Sequence, residues 1–419
     1  MNSLKSSKKY VNKIYYGWYI VAASSWVNAI GGSVQWKGFT VFFLPIATSL
    51  NLSYTQAALP FALARAENGL LGPITGWMID KFGVRPMMMF GTILAGLGYL
   101  LLSRTNSFTS FLLIYVFAIC LGSSTSFMQA STSSINMWFI KKRGIAISIN
   151  SAAFRLGGAF MIPILSIIIL KWSWEIASII VGIGMLILIV PFSLVYKKSP
   201  ESIGENPDGI NITQNDDITN SDWDTKDALR TRSFWILSLG TILRMAVHGT
   251  IYVHFIPILV WKGETQQTAA NLIGAISLIA VPLIIIVGYI SDKIPRQKLL
   301  SVLYTSASIS LLLMYFVEGT WPIFFSMILF IGTEIAAGFN WALVGDMFGI
   351  KNFTTIRGWI SPMYNISLVV GPLLAGYSKD KTGSYEYVLL TGSVLMLMAA
   401  ITFMLLKKPR IRNGRGDRI

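Results

Sequence analysis

The sequence predicts an all-α membrane protein of twelve transmembrane helices, arranged as two pseudo-symmetric six-helix bundles. Three observations lead to this prediction. Only 13% of the 419 residues are charged and the mean hydropathy is +0.60, whereas a soluble domain carries about twice that charge. Apolar runs of about 20 residues, long enough to cross a bilayer, recur along the chain. A short loop motif near residue 80 returns near residue 292.

Twelve apolar spans follow from the runs: 16–47, 55–79, 86–103, 108–138, 145–170, 174–196, 233–261, 268–290, 299–317, 321–348, 358–378 and 387–406. Residues 197–232 between the sixth and seventh spans are rich in Asn, Asp and Gly and cannot form a core, so they are predicted to be a solvated linker. The predicted divisions are an N-terminal tail (1–15), a first bundle (16–196), this linker (197–232), a second bundle (233–406) and a basic tail (407–419).

The lysines and arginines predict the orientation. With both termini in the cytoplasm, 25 of the 34 basic residues lie in cytoplasmic loops and tails, and only five lie in outer loops. This is a strong positive-inside bias. The net charge of +15 therefore faces anionic lipid headgroups, and nucleic acid is not an expected partner. We expect a monomeric, multi-pass protein of the inner cell membrane.

The repeated loop motif indicates an internal duplication. The pattern Gly-x-x-x-Asp-Lys lies at the end of the second span, at Gly76, Asp80 and Lys81, and is followed there by Gly83 and Arg85. The same pattern returns at the end of the eighth span, at Gly288, Asp292 and Lys293. Two copies at matching loops predict a duplicated six-helix unit, as found in transporters. The chain resembles the major facilitator superfamily over nearly its whole length. The loop pattern of that family is Gly-x-x-x-Asp-Arg/Lys-x-Gly-x-Arg/Lys; the first copy matches it fully and the second lacks the second glycine.

A second resemblance concerns the first helix. Gln35-Trp36-Lys37-Gly38 followed by Phe-Thr-Val-Phe-Phe resembles the first helix of monocarboxylate transporters, where a lysine serves the substrate anion. The resemblance implies a secondary active transporter of a small organic anion, expected to be a monocarboxylate, working by rocker-switch alternating access. The eighth span has neither the Asp nor the Arg that animal members place there, so their proton relay does not carry over. Proton coupling and anion exchange both stay open.

Charged residues inside the spans are the candidate site. Lys37 costs about 2.5–3.5 kcal/mol if it lies at mid-bilayer, so it either meets the anion or reaches back to the outer interface. Arg244 lies roughly 16 Å into the seventh span. It could hold a carboxylate in a bidentate pair, or pair with Glu334. His248, one turn further, either carries a coupled proton or packs as a neutral group.

Further polar residues complete the expected cavity. Gln129, Arg155, Asn340 and Trp341 are candidate substrate contacts, while Arg65, Glu67 and Glu334 are expected to form an intramembrane charge network. Within the first bundle a structural Glu67–Arg155 pair is the favoured interpretation. Cations outnumber acids in the middle of the membrane, and an uncompensated positive surplus favours an anionic substrate.

Other classes of protein fit less well. The sequence contains no Ser/His/Asp set, no His/Cys cluster at metal spacing and no phosphate-binding loop, so we expect neither an enzyme nor a metal site nor a cofactor. A proton-coupled multidrug or other-solute antiporter is the main alternative, but its GPxxGG-type element is absent from the fifth span and Arg155 would repel lipophilic cations. A non-transporting sensor on the same scaffold usually needs an appended signalling domain.

Overall fold

A computed structural model describes residues 15–140, 142–209, 223–291, 293–349 and 352–409. Within these ranges the regular elements are helices, and they form twelve antiparallel spans. In the first bundle the first span consists of Gly17–Val27, Asn28–Gly32, Val34–Gly38 and Phe39–Ser49, and the fourth consists of Phe108–Ile114, Tyr115–Cys120, Leu121–Ser126 and Met128–Trp138. The second, third and fifth spans are the helices Tyr54–Phe82, Val84–Leu102 and Arg143–Lys171. The sixth span is Trp174–Leu188 continued by Val190–Ser193.

The second bundle contains the helices Arg232–Trp261, Gln266–Ser291, Arg296–Phe316, Thr320–Phe348, Phe353–Thr382 and Glu386–Leu405. We number these twelve spans one to twelve in chain order. Short helices Pro200–Ile203, Pro207–Gly209 and Thr225–Arg230 lie in the described parts of the connection between the bundles. The predicted all-α, twelve-helix architecture is therefore confirmed.

Two of the three most polar spans carry a buried charge. Nine helices of the described chain are long and apolar enough to cross a membrane on their own. The other three, the first, second and eleventh spans, carry more polar side chains, and among these Lys37 and Arg65 are each only 4% exposed. Ionisable side chains inside a membrane protein face the bundle interior because lipid cannot solvate them.

Two π-helical turns, Asn28–Gly32 and Val34–Gly38, interrupt the first span. Turns of this kind are frequent at functional sites, and Lys37 lies in the second one. Beside them the fifth span approaches the first very closely, because a Cβ atom added at Gly157 would overlap the carbonyl of Ala29.

Gly157→Ala should therefore destabilise the first bundle by about 1–3 kcal/mol, the usual cost of overpacking. Thermal unfolding of the purified protein in detergent measures the effect. Gly184→Ala is the matched control, since a Cβ at that position meets nothing within 4 Å. A melting temperature that falls equally in both variants would contradict the close packing of the first and fifth spans.

The two bundles contact each other mainly through three pairs of spans, the first with the seventh, the second with the eleventh and the fifth with the eighth. We call the side with the loop after the first span the distal face, and the side with the linker the terminal face. Among the described residues, the hydrogen bonds between the bundles lie at mid-span or nearer the distal face. The distal face is therefore closed.

Asp380, at the distal end of the eleventh span, joins the two bundles at the closed distal face. Its carboxylate accepts hydrogen bonds from the backbone N–H groups of Tyr54 (2.7 Å) and Thr55 (2.9 Å) and from the Thr55 hydroxyl (2.6 Å). Asp380 thus caps the N-terminus of the second span, where free N–H groups and the helix dipole favour a negative charge.

Asp380→Ala should shift the equilibrium toward a state with an open distal face by about tenfold, because hydrogen bonds to a charged group are lost. Spin labels at Asn106 and Glu318, in a Cys120→Ser background, would report a longer distance across the distal face. Glu386→Ala, another exposed distal acid, should leave the distance unchanged; equal effects would contradict the capping role.

Candidate functional site

Lys37 lies between the two bundles and not at the lipid interface. Its Nζ donates to Glu334 Oε1 on the tenth span and to Ser277 Oγ on the eighth, both at 3.1 Å. The rings of Phe154 and Tyr252 lie 5.7 and 5.8 Å from the ammonium. The side chain therefore contacts polar groups of the opposite bundle instead of reaching back to the interface.

Glu334 is shared by two cations of the first bundle. Besides its bond to Lys37, its Oε2 lies 4.0 Å from Nε of Arg155, and its backbone carbonyl accepts from Nη2 of Arg155 at 3.4 Å. Arg155 also donates to the carbonyl of Ser151 at 3.1 Å. The structure thus pairs Arg155 with Glu334 across the bundle interface rather than with Glu67, the partner favoured from the sequence.

Arg244 is fully buried and forms no ion pair with an acid of the described residues. Its Nη1 donates to the carbonyl of Thr333 at 3.3 Å and its Nη2 to the sulfur of Met245 at 3.1 Å, while its Nε has no partner. The salt bridges of the described residues do not include Arg244. The alternative pairing of Arg244 with Glu334 is therefore not what the structure shows, and one buried guanidinium is left without a counter-charge.

His248 lies one helical turn beyond Arg244 and contacts the same residue of the tenth span. Its Nδ1 lies 3.4 Å from the hydroxyl of Thr333, and its ring packs against the Tyr252 ring at a tilt of 42°, with the centroids 4.4 Å apart. Arg244 and His248 of the seventh span thus share one partner on the tenth span.

Thr333 and Glu334 form the meeting point of this cluster. The two neighbouring residues contact Lys37 and Arg155 of one bundle, and Arg244 and His248 of the other. Pattern reasoning from the sequence missed Thr333, Ser277 and Tyr252, because hydroxyl-bearing residues are common in membrane helices and carry no charge to single them out.

Arg65 and Glu67 line the same interior without pairing directly. The Arg65 guanidinium stacks on Trp36 at 3.3 Å and on Phe61 at 4.4 Å, and its Nε is unpaired. Glu67 accepts a hydrogen bond from Ser124 at 3.2 Å, and its second oxygen has no partner. Two further buried polar groups are thus available beside the central cluster.

The remaining predicted residues lie further from Thr333 and Glu334. Asn340 is buried and hydrogen-bonds Thr241 at 3.2 Å, and Trp341 packs between Tyr364 and Arg357. These contacts lie within the second bundle. The side chains of Gln129, Gly76 and Asp80, and the whole of Asp292, lie outside the described residues. Of the loop motif, Lys81 is exposed and contacts the Trp77 ring, and Lys293 contacts Tyr289.

Aromatic and apolar side chains close the centre toward the distal face. A narrow cleft above Lys37 is lined by Thr40, Tyr252, Phe255, Ile273, Ile276, Ser277, Met327, Phe330, Ile331 and Glu334. Beyond it His254 packs against Phe43 and hydrogen-bonds Tyr385 and the Pro372 carbonyl, each at 2.9 Å. This layer separates the charged cluster from the distal side.

A duplicated six-helix unit with buried charges between its halves is the architecture of a membrane transporter. Residues 21–349 match the family model described as Major Facilitator Superfamily. The chain therefore belongs to that superfamily, as its loop motif predicted, and is a transporter and not an enzyme.

Similar proteins are known at low identity. Monocarboxylate transporter 2 of Homo sapiens is 22% identical over 410 residues, which cover 93% of this chain and 85% of the relative. The oxalate:formate antiporter of Oxalobacter formigenes is 25% identical over 295 residues, covering 68% and 66%. A crystal structure of a bacterial homologue of the human lysosomal transporter Spinster, inward-facing and unoccupied, has a TM-score of 0.71 at 17% identity, covering 94% and 97%. The last of these supports the fold alone.

Proposed function

We propose that this protein is a secondary active transporter that carries a small organic anion, with a monocarboxylate as the expected substrate, by alternating access. The observation that carries the proposal is the convergence of Lys37, Arg155, Arg244 and His248 on Thr333 and Glu334, at the boundary between the bundles. A site at this boundary can be exposed to either side when the bundles rock.

The sign of the cluster favours an anion. The interior holds the cations Lys37, Arg65, Arg155 and Arg244 against the acids Glu67 and Glu334; the first two and Arg244 are buried, and the others are half-buried. Buried charges need counter-charges, and a substrate carboxylate would supply one. Its two oxygens match the fork of an arginine, and the unpaired Arg244 guanidinium is the natural partner. The two relatives named above are called transporters of monocarboxylates, oxalate and formate, which is the same chemical class.

The orientation is also part of the proposal. The positive-inside bias places the terminal face in the cytoplasm, so the closed distal face would be the outer one and the conformation inward-facing. Lys37, paired with Glu334 at mid-membrane, would then be reached from the cytoplasm.

Counterflow in proteoliposomes tests the function. The purified protein should exchange at least one radiolabelled anion of a panel containing formate, acetate, lactate and oxalate, while a lipophilic cation such as labelled tetraphenylphosphonium should not be moved. Imposing a pH gradient then separates proton coupling from anion exchange. Uptake of the cation without uptake of any panel anion would favour a multidrug antiporter and contradict the proposal.

A further inference from the structure

Glu334 already forms the contacts that a substrate carboxylate would form. One oxygen is hydrogen-bonded to the Lys37 ammonium at 3.1 Å, and the other lies 4.0 Å from the Arg155 guanidinium. Both cations belong to the first bundle, whereas Glu334 belongs to the second. Within the described membrane spans, Glu334 is the acid that pairs with the central cations.

We infer that Glu334 is a resident counter-ion that occupies the anion site when it is empty, and that the substrate carboxylate displaces it from Lys37. This inference rests on the proposed function, since it needs an anionic substrate at the same site. The Glu334 carboxylate and the substrate carboxylate then compete for the one ammonium group of Lys37.

The contacts around Glu334 make such an exchange feasible. A buried lysine left without a partner is strongly unfavourable, so the site needs a carboxylate in either state. Arg155 keeps its hydrogen bonds to the carbonyls of Ser151 and Glu334 when the Glu334 side chain turns away. Ser277, on the eighth span, meanwhile still accepts a hydrogen bond from Lys37 at 3.1 Å. Displacement therefore does not strip the cations of all their partners.

Glu334→Gln is the variant that tests the inference, and Asp346→Asn is its matched control. Asp346 is the acid of the exposed Arg296–Asp346 ion pair, away from the centre. Uptake of labelled lactate and of labelled oxalate is measured in proteoliposomes at neutral pH. In Glu334→Gln the KM of the transported anion should fall at least about fivefold, the lower end of couplings between sites. Asp346→Asn should behave like the wild type.

Thermal unfolding separates competition from a purely structural role. Without anion, Glu334→Gln should melt at a lower temperature than the wild type because Lys37 and Arg155 have lost their acid. Saturating lactate or oxalate should close most of that gap, since the bound anion replaces the missing carboxylate. Should Glu334→Gln fold too poorly to purify, Glu334→Asp, whose shorter side chain reaches Lys37 less well, should show the same changes at smaller size.

The inference is overturned if the wild type transports lactate or oxalate but the KM of Glu334→Gln is unchanged or higher, or if the melting deficit persists at saturating anion. In either case the proposed function stands. If the wild type moves no anion of the wider panel, the proposed function fails and the inference fails with it.

Discussion

Lys37→Met should reduce anion counterflow at least about 100-fold, which corresponds to about 2.7 kcal/mol of lost binding or transition-state stabilisation. Methionine keeps the length of the side chain and removes the ammonium that bonds Glu334 and Ser277 across the bundle interface. The anion then loses its point-charge partner, and Glu334 keeps only Arg155 as a counter-charge. Initial rates of labelled lactate and oxalate exchange measure the effect.

Two further variants make this result specific to the position. Lys171→Met removes an exposed lysine at the distal end of the fifth span and should leave exchange unchanged. Lys37→Arg keeps the charge and should retain part of the activity, limited by the larger guanidinium against the close backbone of Gly158. Full activity in Lys37→Met, with correct insertion in the membrane, would remove Lys37 from the site.

Arg244→Gln is expected to lower transport by at least about 30-fold, which corresponds to about 2 kcal/mol, while leaving stability almost unchanged. The guanidinium has no acid partner among the described residues, so its removal orphans no carboxylate. Loss of a buried, unpaired cation costs the fold little and can even stabilise it. A large loss of transport with an unaltered melting temperature is therefore the combination that identifies a substrate contact.

Arg244→Lys refines the assignment. Lysine keeps the charge but not the planar fork that binds a carboxylate through two parallel hydrogen bonds. We expect intermediate transport, with a raised KM rather than a lowered maximal rate. If Arg244→Gln instead melted at a much lower temperature and transported normally once folded, Arg244 would be a packing residue of the second bundle.

The fold was predictable because it follows from hydropathy and charge distribution. The apolar runs correspond to the twelve spans, including the first, second and eleventh, although the polar side chains of these three lower their hydropathy. Lys37 was also identifiable, since a lone charge inside an apolar run is costly.

The pairing of the charges was not predictable. Glu67 and Arg155 belong to the same bundle and were expected to pair, but Arg155 meets Glu334 of the other bundle. Spacing along a helix gives the face on which a residue lies, whereas its partner depends on how the two bundles dock. The same limit applies to Asp380, which caps a helix 325 positions away at Thr55, and to the uncharged Thr333.

The central claim is that a substrate carboxylate binds Lys37 and Arg244 at the junction of the bundles. It is tested most directly by an experimental structure of the protein saturated with the anion that it exchanges fastest. We predict density for a carboxylate within hydrogen-bonding distance of Lys37 Nζ and of the Arg244 guanidinium, with the Glu334 side chain turned away from Lys37. Anion density elsewhere, with Lys37 still bonded to Glu334 and Arg244 still unpaired, would contradict the account.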